Sequence, residues 1–380
     1  MSEWVTQKIS EVYEGLYDGP HATPPDSEDG AVFLGISNIT PEGRLDFGDI
    51  KHISEHDLPK WTKRVEPRGG DIVFSYEATL NLYAIIPEGF WGCLGRRMAL
   101  IRPNNSKAYG RFLYYYFFSP QWRSTVQENT VIGATVDRIP LVRFPDFPIS
   151  IPDLQTQHRI ADILSAYDAL IENNQRQIKL LEEAAQRLYK EWFVDLRYPG
   201  HEKVPVVDGV PEGWKQKKVT DLLQIRYGKD HKSLADGNIP VYGSGGIMRK
   251  VKPILYSGES VLIPRKGSLN NILFVDGDFW TIDTMFYSIP QMGNVAKYCY
   301  LFLSRLDMYS FNIGAAVPSM TVNILEGIGI LLPNEQVLSM FENRMKQIFD
   351  QKKLLVKQNE FASEARDRLL PKLMSGEIAF

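Results

Sequence analysis

The stretch that decides the fold is IADILSAYDALIENNQRQIKLLEEAAQRLYKEW, residues 160–192. From Ile160, the positions Leu164, Tyr167, Ile171, Asn174, Ile178, Leu181, Ala185, Leu188 and Trp192 follow a strict 4-3 alternation, and eight of these nine are apolar. A 3.5-residue spacing is the seam of a coiled coil rather than the broader face of an ordinary amphipathic helix. Pro152-Asp153 suits the helix start, and Pro199-Gly200 is expected to stop it. The helix should run about 40 residues, roughly 60 Å. A second one is expected from about Asn334 to about Met374, with Phe341, Met345, Ile348, Leu355, Ala362, Leu369 and Leu373 on its seam and Lys352, Asn359 and Arg366 interrupting it. Pro371 falls in its last turn and Gly376 comes just after.

An apolar stripe this long needs a partner, either a second chain or the other helix of the same chain. A register test favours the second. If antiparallel residue numbers sum to 533, Asn174 falls opposite Asn359, Ile171 opposite Ala362, Ala185 opposite Ile348, Ile160 opposite Leu373, Leu164 opposite Leu369 and Trp192 opposite Phe341. A lone seam Asn often fixes register by meeting another, and large-opposite-small pairs fill a seam well. Two mismatches arise, Tyr167 with Arg366 and Leu181 with Lys352, where the long side chains are expected to carry their charge out to water.

Working outward, the two helices belong to an imperfect tandem repeat. Trp4, Lys8, Ile9, Tyr17 and His21 match Trp214, Lys218, Val219, Tyr227 and His231 at an offset of 210. Ile72, Leu80-Asn81 and Phe90-Trp91 match Val261, Leu269-Asn270 and Phe279-Trp280 at 189. Ile132-Gly133-Ala134 with Val136 matches Ile313-Gly314-Ala315 with Val317 at 181, and the helix block, from Ile149, Pro152 and Gln155 to Arg187-Leu188, keeps that offset. The first half therefore has longer loops early on, and the last block is one gapless element.

The expected fold class is α+β, two related α/β domains joined by two long antiparallel helices that form a coiled coil. The segments are a first domain (1–150), a central helix (151–198), a second domain (199–332) and a C-terminal helix (333–380). Strands are expected at 31–36, 71–75 and 260–264, and short aromatic-rich core helices at 111–118 and 297–303.

Composition is that of a globular protein of two or three domains: 380 residues, 44% hydrophobic and 23% charged. No apolar run reaches the ~18 residues of a membrane span. The start, Met1-Ser2-Glu3-Trp4, carries an acid and no apolar core, so no signal peptide is expected and the cytoplasm is the expected location. Cys93 and Cys299 cannot frame a disulfide scaffold or a four-cysteine zinc site. No GxxxxGK[ST], HExxH or paired CxxC occurs, and the six histidines have no ligand spacing, so neither a metal nor catalysis is expected in this chain. Tyr242-Gly243-Ser244-Gly245-Gly246 after a possible strand would need a succeeding helix to bind a dinucleotide. Instead, Ile247-Met248-Arg249-Lys250-Val251-Lys252 is basic and runs into Pro253, so a loop bringing backbone close to a ligand is the better reading.

Net charge is −3, with −4 in residues 1–150 and +2 in 205–333. No global field advertises nucleic acid, but local basic clusters do occur. Each alone reads as solvated surface. Several lie beside the residues that repeat between halves, where Arg and Asn can form bidentate contacts to guanine and adenine edges. The DNA-binding candidates are Tyr17, His21, Lys63, Arg64, Asn81, Arg96 and Arg97 in the first half, and Lys229, His231, Lys232, Tyr242, Ser244, Arg249, Lys250, Arg265, Lys266 and Asn270 in the second. So weak a net charge predicts a poor grip on DNA without partners, because phosphate neutralisation supplies most non-specific affinity.

Several motifs are family-like: 366–378 (RDRLLPKLMSGEI), 188–194 (LYKEWFV), Pro152 and Gln155 with Pro333 and Gln336, Pro211-Glu212-Gly213-Trp214, and 239–246 (IPVYGSGG). Through them the whole chain resembles the specificity subunits of type I restriction-modification systems. The resemblance implies two target recognition domains, each reading half of a split double-stranded DNA target. It implies that the long helices act as spacer and docking surface for two modification (methyltransferase) subunits, with restriction (translocase and nuclease) subunits completing the endonuclease. S-adenosylmethionine, ATP and Mg would belong to those partners. One departure is Asp18-Gly19-Pro20-His21 against Gly228-Lys229-Asp230-His231, so the two recognition loops are expected to differ. The alternatives are a two-headed coiled-coil adaptor without DNA specificity and, more remotely, an enzyme using the Gly243–Gly246 loop.

Overall fold

The computed structural model describes residues 3–133, 135–314 and 316–378. Ala134 and Ala315 of the third repeat block lie outside the described residues. Two compact units emerge, 1–173 with 358–380 and 174–357, so the division falls within both long helices.

The first unit contains β1 (Val5–Lys8), β2 (Tyr13–Asp18), β3 (Ala31–Leu34), β4 (Lys51–Ile53), α1 (Leu58–Trp61), β5 (Ile72–Ser75), β6 (Tyr83–Ile85), β7 (Gly92–Leu94), β8 (Met98–Pro103), α2 (Gly110–Tyr116), α3 (Pro120–Asn129) and β9 (Pro148–Ile151), followed by the long helix α4 (Leu154–Tyr189). The second contains β10 (Val206–Val207), β11 (Val210–Pro211), β12 (Lys215–Lys218), α5 (Val219–Leu222), β13 (Leu223–Tyr227), β14 (Asp236–Gly243), β15 (Gly246–Val251), β16 (Tyr256–Pro264), β17 (Leu273–Thr281), β18 (Met285–Pro290), α6 (Ala296–Leu303), α7 (Val322–Gly327) and β19 (Gly329–Leu332), followed by the long helix α8 (Glu335–Met374).

The same topology occurs twice. The first head orders its strands β2-β8-β5-β6 and β4-β3-β7, and the second orders them β13-β18-β16-β17-β14-β15 in one sheet. In both, one strand joins in parallel, β3 on β7 and β14 on β17. The first head's sheet is interrupted between β6 and β7 by Pro87-Glu88-Gly89, where Gly89 takes φ +73°, whereas β17 runs straight through. Strand registers coincide with the sequence offsets. Val5 pairs with Ile151 and Lys215 with Leu332, shifted by 210 and 181, while Ile72 pairs with Ile85 and Val261 with Phe274, both shifted by 189. The extra length of the first head lies in the β3–β4 connection, in the segment that holds α1, and in α3, whose place in the second head is a 3-10 turn at Met308–Phe311.

Each head packs on its own segments of the long helices. In the first, Phe74, Phe112, Trp122 and Phe144 share a core with Ile160, Leu164, Leu370 and Leu373. In the second, Val261, Phe286 and Tyr298 share one with Ala185, Trp192, Phe341 and Met345. The helices start at equivalent caps: Asp153 Oδ1 accepts from Thr156 N (2.9 Å) and Asn334 Oδ1 from Val337 N (2.9 Å). The bonds from Thr156, backbone first and then hydroxyl, hold the Asp153 carboxyl below its ordinary value.

Within each unit the helix segments run antiparallel, in the expected register. The Trp192 and Phe341 rings lie 5.6 Å apart, and the ion pairs Asp168–Arg366 (2.6 Å) and Glu182–Lys352 (2.5 Å) fall one residue away from it. The expected seam residues Ile160, Leu164, Ile171, Asn174, Met345, Leu355 and Ala362 are buried, and Ile178, Leu181, Leu188, Ile348, Asn359 and Leu369 are half-buried. One expectation needs correction: Arg366 and Lys352 do not simply extend into water. Each meets a carboxylate beside its seam mismatch, because a half-buried cation loses hydration and needs a counter-charge. Arg366 also shares Asp168 with the Tyr115 hydroxyl (2.5 Å).

One helix end differs from expectation, whereas α8 ends at Met374 with Gly376 after it, as expected. α4 passes into a π-turn, Lys190–Val194, and the chain breaks at Leu196 (φ +58°), before Pro199-Gly200. Gly376 (φ +73°) holds the corresponding place after α8, one residue earlier in phase, so the π-turn absorbs a single extra residue.

Candidate nucleic-acid interface

In both heads the loops at one edge of the sheet gather the candidate residues. In the first head this edge comprises the end of β2, the turn before β8, the loop after β5 and residues 131–133 and 135–139. Tyr17, next to last in β2, is half-buried, with the Arg102 guanidinium 6.0 Å from its ring centre. Asp18 holds two candidates at once, Arg64 (2.5 Å) and His21 (3.1 Å). Arg97 takes φ +72° and lies 3.9 Å from Glu77. Asn81, at φ +63°, accepts from the buried Tyr83 hydroxyl (3.2 Å), which in turn accepts from Trp122 Nε1 (2.9 Å). Lys63 and Arg96 are exposed.

Tyr76 carries no sequence signal of a functional role. It follows β5, and its hydroxyl is buried with no hydrogen-bond partner among the described residues. Burial pushes that hydroxyl up to about 12, with Asp18 and Glu77 adding to the rise. A buried orphan hydroxyl amid Arg64, Arg97, Asp18 and Glu77 is a donor in want of an acceptor. Only its place directly after a strand, beside the repeat block, could have flagged it.

In the second head the equivalent edge comprises the loop after β13, the β14–β15 turn, the loops after β16 and β17, and residues 312–314 and 316–320. Tyr227 is exposed, with the Arg265 guanidinium 5.8 Å from its ring centre, and Arg265 also donates to Asp283 O (3.0 Å). The repeat therefore keeps a tyrosine under an arginine but supplies the arginine from a different place, the residue after β16 rather than a position within β8. The Lys229 carbonyl accepts from Trp280 Nε1 (3.0 Å), and Asp230 Oδ1 accepts from the backbone of both His231 (2.8 Å) and Lys232 (3.2 Å). This leaves the Lys229 and Lys232 side chains exposed on a fastened loop. Lys250 and Lys266 are exposed, while Tyr242 is half-buried against Phe279.

Two candidates hold loops in place. Arg249 donates to Leu234 O (2.9 Å) and Asp236 Oδ1 (2.6 Å). Asn270 accepts from Met308 N (2.7 Å). The glycine-rich stretch is a hairpin turn. Gly243 ends β14, Gly246 (φ +114°) starts β15, and the Ser244 carbonyl accepts from Asn271 Nδ2 (2.8 Å). A strand rather than a helix succeeds it, which removes the dinucleotide reading.

Among the described residues no cluster of His, Cys, Asp or Glu could hold a metal ion, and no helix is long and apolar enough to cross a membrane. The two edges offer aromatic rings, guanidinium and ammonium groups and turn backbone on rigid strands, a set suited to contacting phosphates and base edges.

Residues 1–183 and 211–355 match the family model described as type I restriction modification DNA specificity domain. The chain is similar to the type I restriction enzyme MjaIX specificity subunit of Methanocaldococcus jannaschii, 24% identical across 90% of this chain and 86% of that one. It is also similar to the HindI specificity subunit of Haemophilus influenzae, 22% identical across 85% of this chain and 89% of that one. Its fold is that of the crystal structure of a type I restriction-modification S subunit from M. genitalium, with a TM-score of 0.60 at 18% identity, covering 98% of this chain and 96% of that one.

Proposed function

The chain belongs to the type I restriction-modification DNA specificity family, and from that premise we propose that it is the sequence-reading subunit of such a system. It binds double-stranded DNA at a bipartite, asymmetric target and docks two modification subunits and, where present, restriction subunits. The observation that carries this reading is one sheet topology used twice with different side chains at the equivalent edge: Tyr76 against Arg265, Glu77 against Lys266, and Arg138 against Ser319. Two dissimilar reading surfaces call for two dissimilar half-sites.

The chain supplies recognition, and catalysis falls to its partners. S-adenosylmethionine, ATP and Mg are assigned to those subunits, as is most of the phosphate grip, in keeping with the −3 net charge. The long helices set the gap between half-sites, with the buried polar seam residue Asn174 as a determinant of their register. Four residues inserted into both helices should lengthen the spacing that is methylated; methylation retained at the original spacing would count against the ruler. Asn174→Leu should raise the melting temperature while loosening the choice of spacing.

The direct test is a gel shift of the chain with its modification subunits across random duplexes, together with methylome sequencing of the host with and without the gene. A sequence-dependent shift and a lost bipartite methylation pattern are expected. Assembly with no duplex preference would make the chain a two-headed adaptor.

A further inference from the structure

Both heads carry a strap across the candidate edge. In the first, Ala78 N donates to Asp137 O (3.0 Å) and Ile139 N to Tyr76 O (2.7 Å). In the second, Gly267 N donates to Pro318 O (2.9 Å) and Met320 N to Arg265 O (2.9 Å). These are the same bonds at the repeat offsets of 189 and 181. Even the backbone conformation recurs, with Ala78 at φ +71° and Gly267 at +84°.

Each strap ends in the pair Ile-Gly. Ile132 is 86% exposed and Ile313 63%. These tips are pinned. Gly133 N donates to Asp137 Oδ1 (3.3 Å) and Gly314 N to Asn312 Oδ1 (2.8 Å). A Cβ on Gly133 would sit 2.2 Å from the Val136 carbonyl oxygen, and one on Gly314 2.0 Å from that of Val317. Two built turns thus each hold an isoleucine in water, where hydration disfavours it.

The strap bases have diverged, yet the tip is the same. A feature that stays constant between two heads that read different bases contacts something common to any sequence. The surroundings say what that is. The first strap is flanked by Arg97 and Arg138 and the second rises from Arg265 and Lys266, while the carboxylate of Glu77 lies 3.9 Å from Arg97 and that of Asp137 is engaged by Gly133 N. An aliphatic side chain framed by cations suits the base stack beneath a phosphate backbone, where apolar residues wedge between base steps.

We infer that Ile132 and Ile313 are paired wedges, each pressed against the base stack of one half-site. This rests on the proposed DNA-reading role. The test uses the chain assembled with its modification subunits and a duplex carrying 2-aminopurine in one half-site. Ile132→Ser and Ile313→Ser should each weaken binding by on the order of tenfold, as expected for one aliphatic side chain left unburied. Each should abolish the fluorescence rise in one half-site only, and the Leu variants should restore both readouts. Light scattering without DNA should show assembly unchanged. A double Ser variant that binds within about twofold of wild type would overturn the inference while leaving the parent reading intact, and so would a loss of assembly matching the loss of binding, which would make the tips a protein-docking element. A wild-type complex with no duplex preference would instead overturn the parent reading.

Discussion

The two heads solve one problem, fastening a sheet to a pair of helices, by different means. The second buries an ammonium: Lys297 on α6 binds Glu259 of β16 and Glu342 of α8 (2.5 Å), beside the Phe274 ring. The first uses a half-buried cluster at the helix surface, with Asp168 taking Arg366 (2.6 Å) and the Tyr115 hydroxyl (2.5 Å). Neither arrangement is found at the repeat-equivalent positions of the other head, where Ala161 stands for Glu342 and Phe349 stands for Asp168. Duplicated folds thus preserve backbone register and change the polar fastening.

The largest expected difference is at Lys297. Burial pulls its ammonium down, but the bonds to Glu259 and Glu342 outweigh that and hold it above 10.5. Lys297→Ala strands two carboxylates and should cost about 3–5 kcal/mol in denaturant unfolding of the second head. Lys297→Met combined with Glu259→Gln and Glu342→Gln should recover most of it. A folded value above the unfolded one means that the lysine's contribution is complete at neutral pH and fades as pH climbs past the ordinary lysine range. Melting followed from neutral to strongly alkaline pH should show the gap between wild type and the triple variant changing only at the alkaline end.

Asp168→Ala in the first head should cost less, about 1–3 kcal/mol, because Arg366 keeps Asp367 and some solvent. A cost equal to that of Lys297→Ala would erase the contrast between buried and half-buried fastening. The smallest effect separates the straps. Gly267→Ala should destabilise by about 1 kcal/mol, and Ala78→Gly should be neutral or stabilising by several tenths, since the left-handed backbone favours glycine. Equal and opposite shifts in melting temperature would mean that both straps carry the same strain.

The long helices are legible in the sequence because a 3.5-residue period and its caps are local patterns, and the antiparallel register comes from the seam residues alone. The repeat offsets anticipate strand pairs such as Ile72 with Ile85 and Val261 with Phe274, since duplication preserves pairing. Side-chain commitments are not legible. That Arg249 is held by Asp236, Asn270 by Met308, and Arg366 and Lys352 by Asp168 and Glu182 depends on groups brought together by folding. Tyr76 is invisible for the same reason: its interest lies in the missing partner of a buried hydroxyl, which no spacing encodes. The candidate site is therefore readable as a set of loops and only in part as a set of contacts.

The short ladders β1–β9 and β12–β19 bring each head's incoming and outgoing strands side by side, just ahead of a long helix. Adjacent strands lie about 5 Å apart. A cassette with both of its ends in one doorway can be excised, replaced or reordered without rerouting the chain around it. Exchange of one head by recombination would therefore alter half of what is read and leave the rest of the machine unaware of the change.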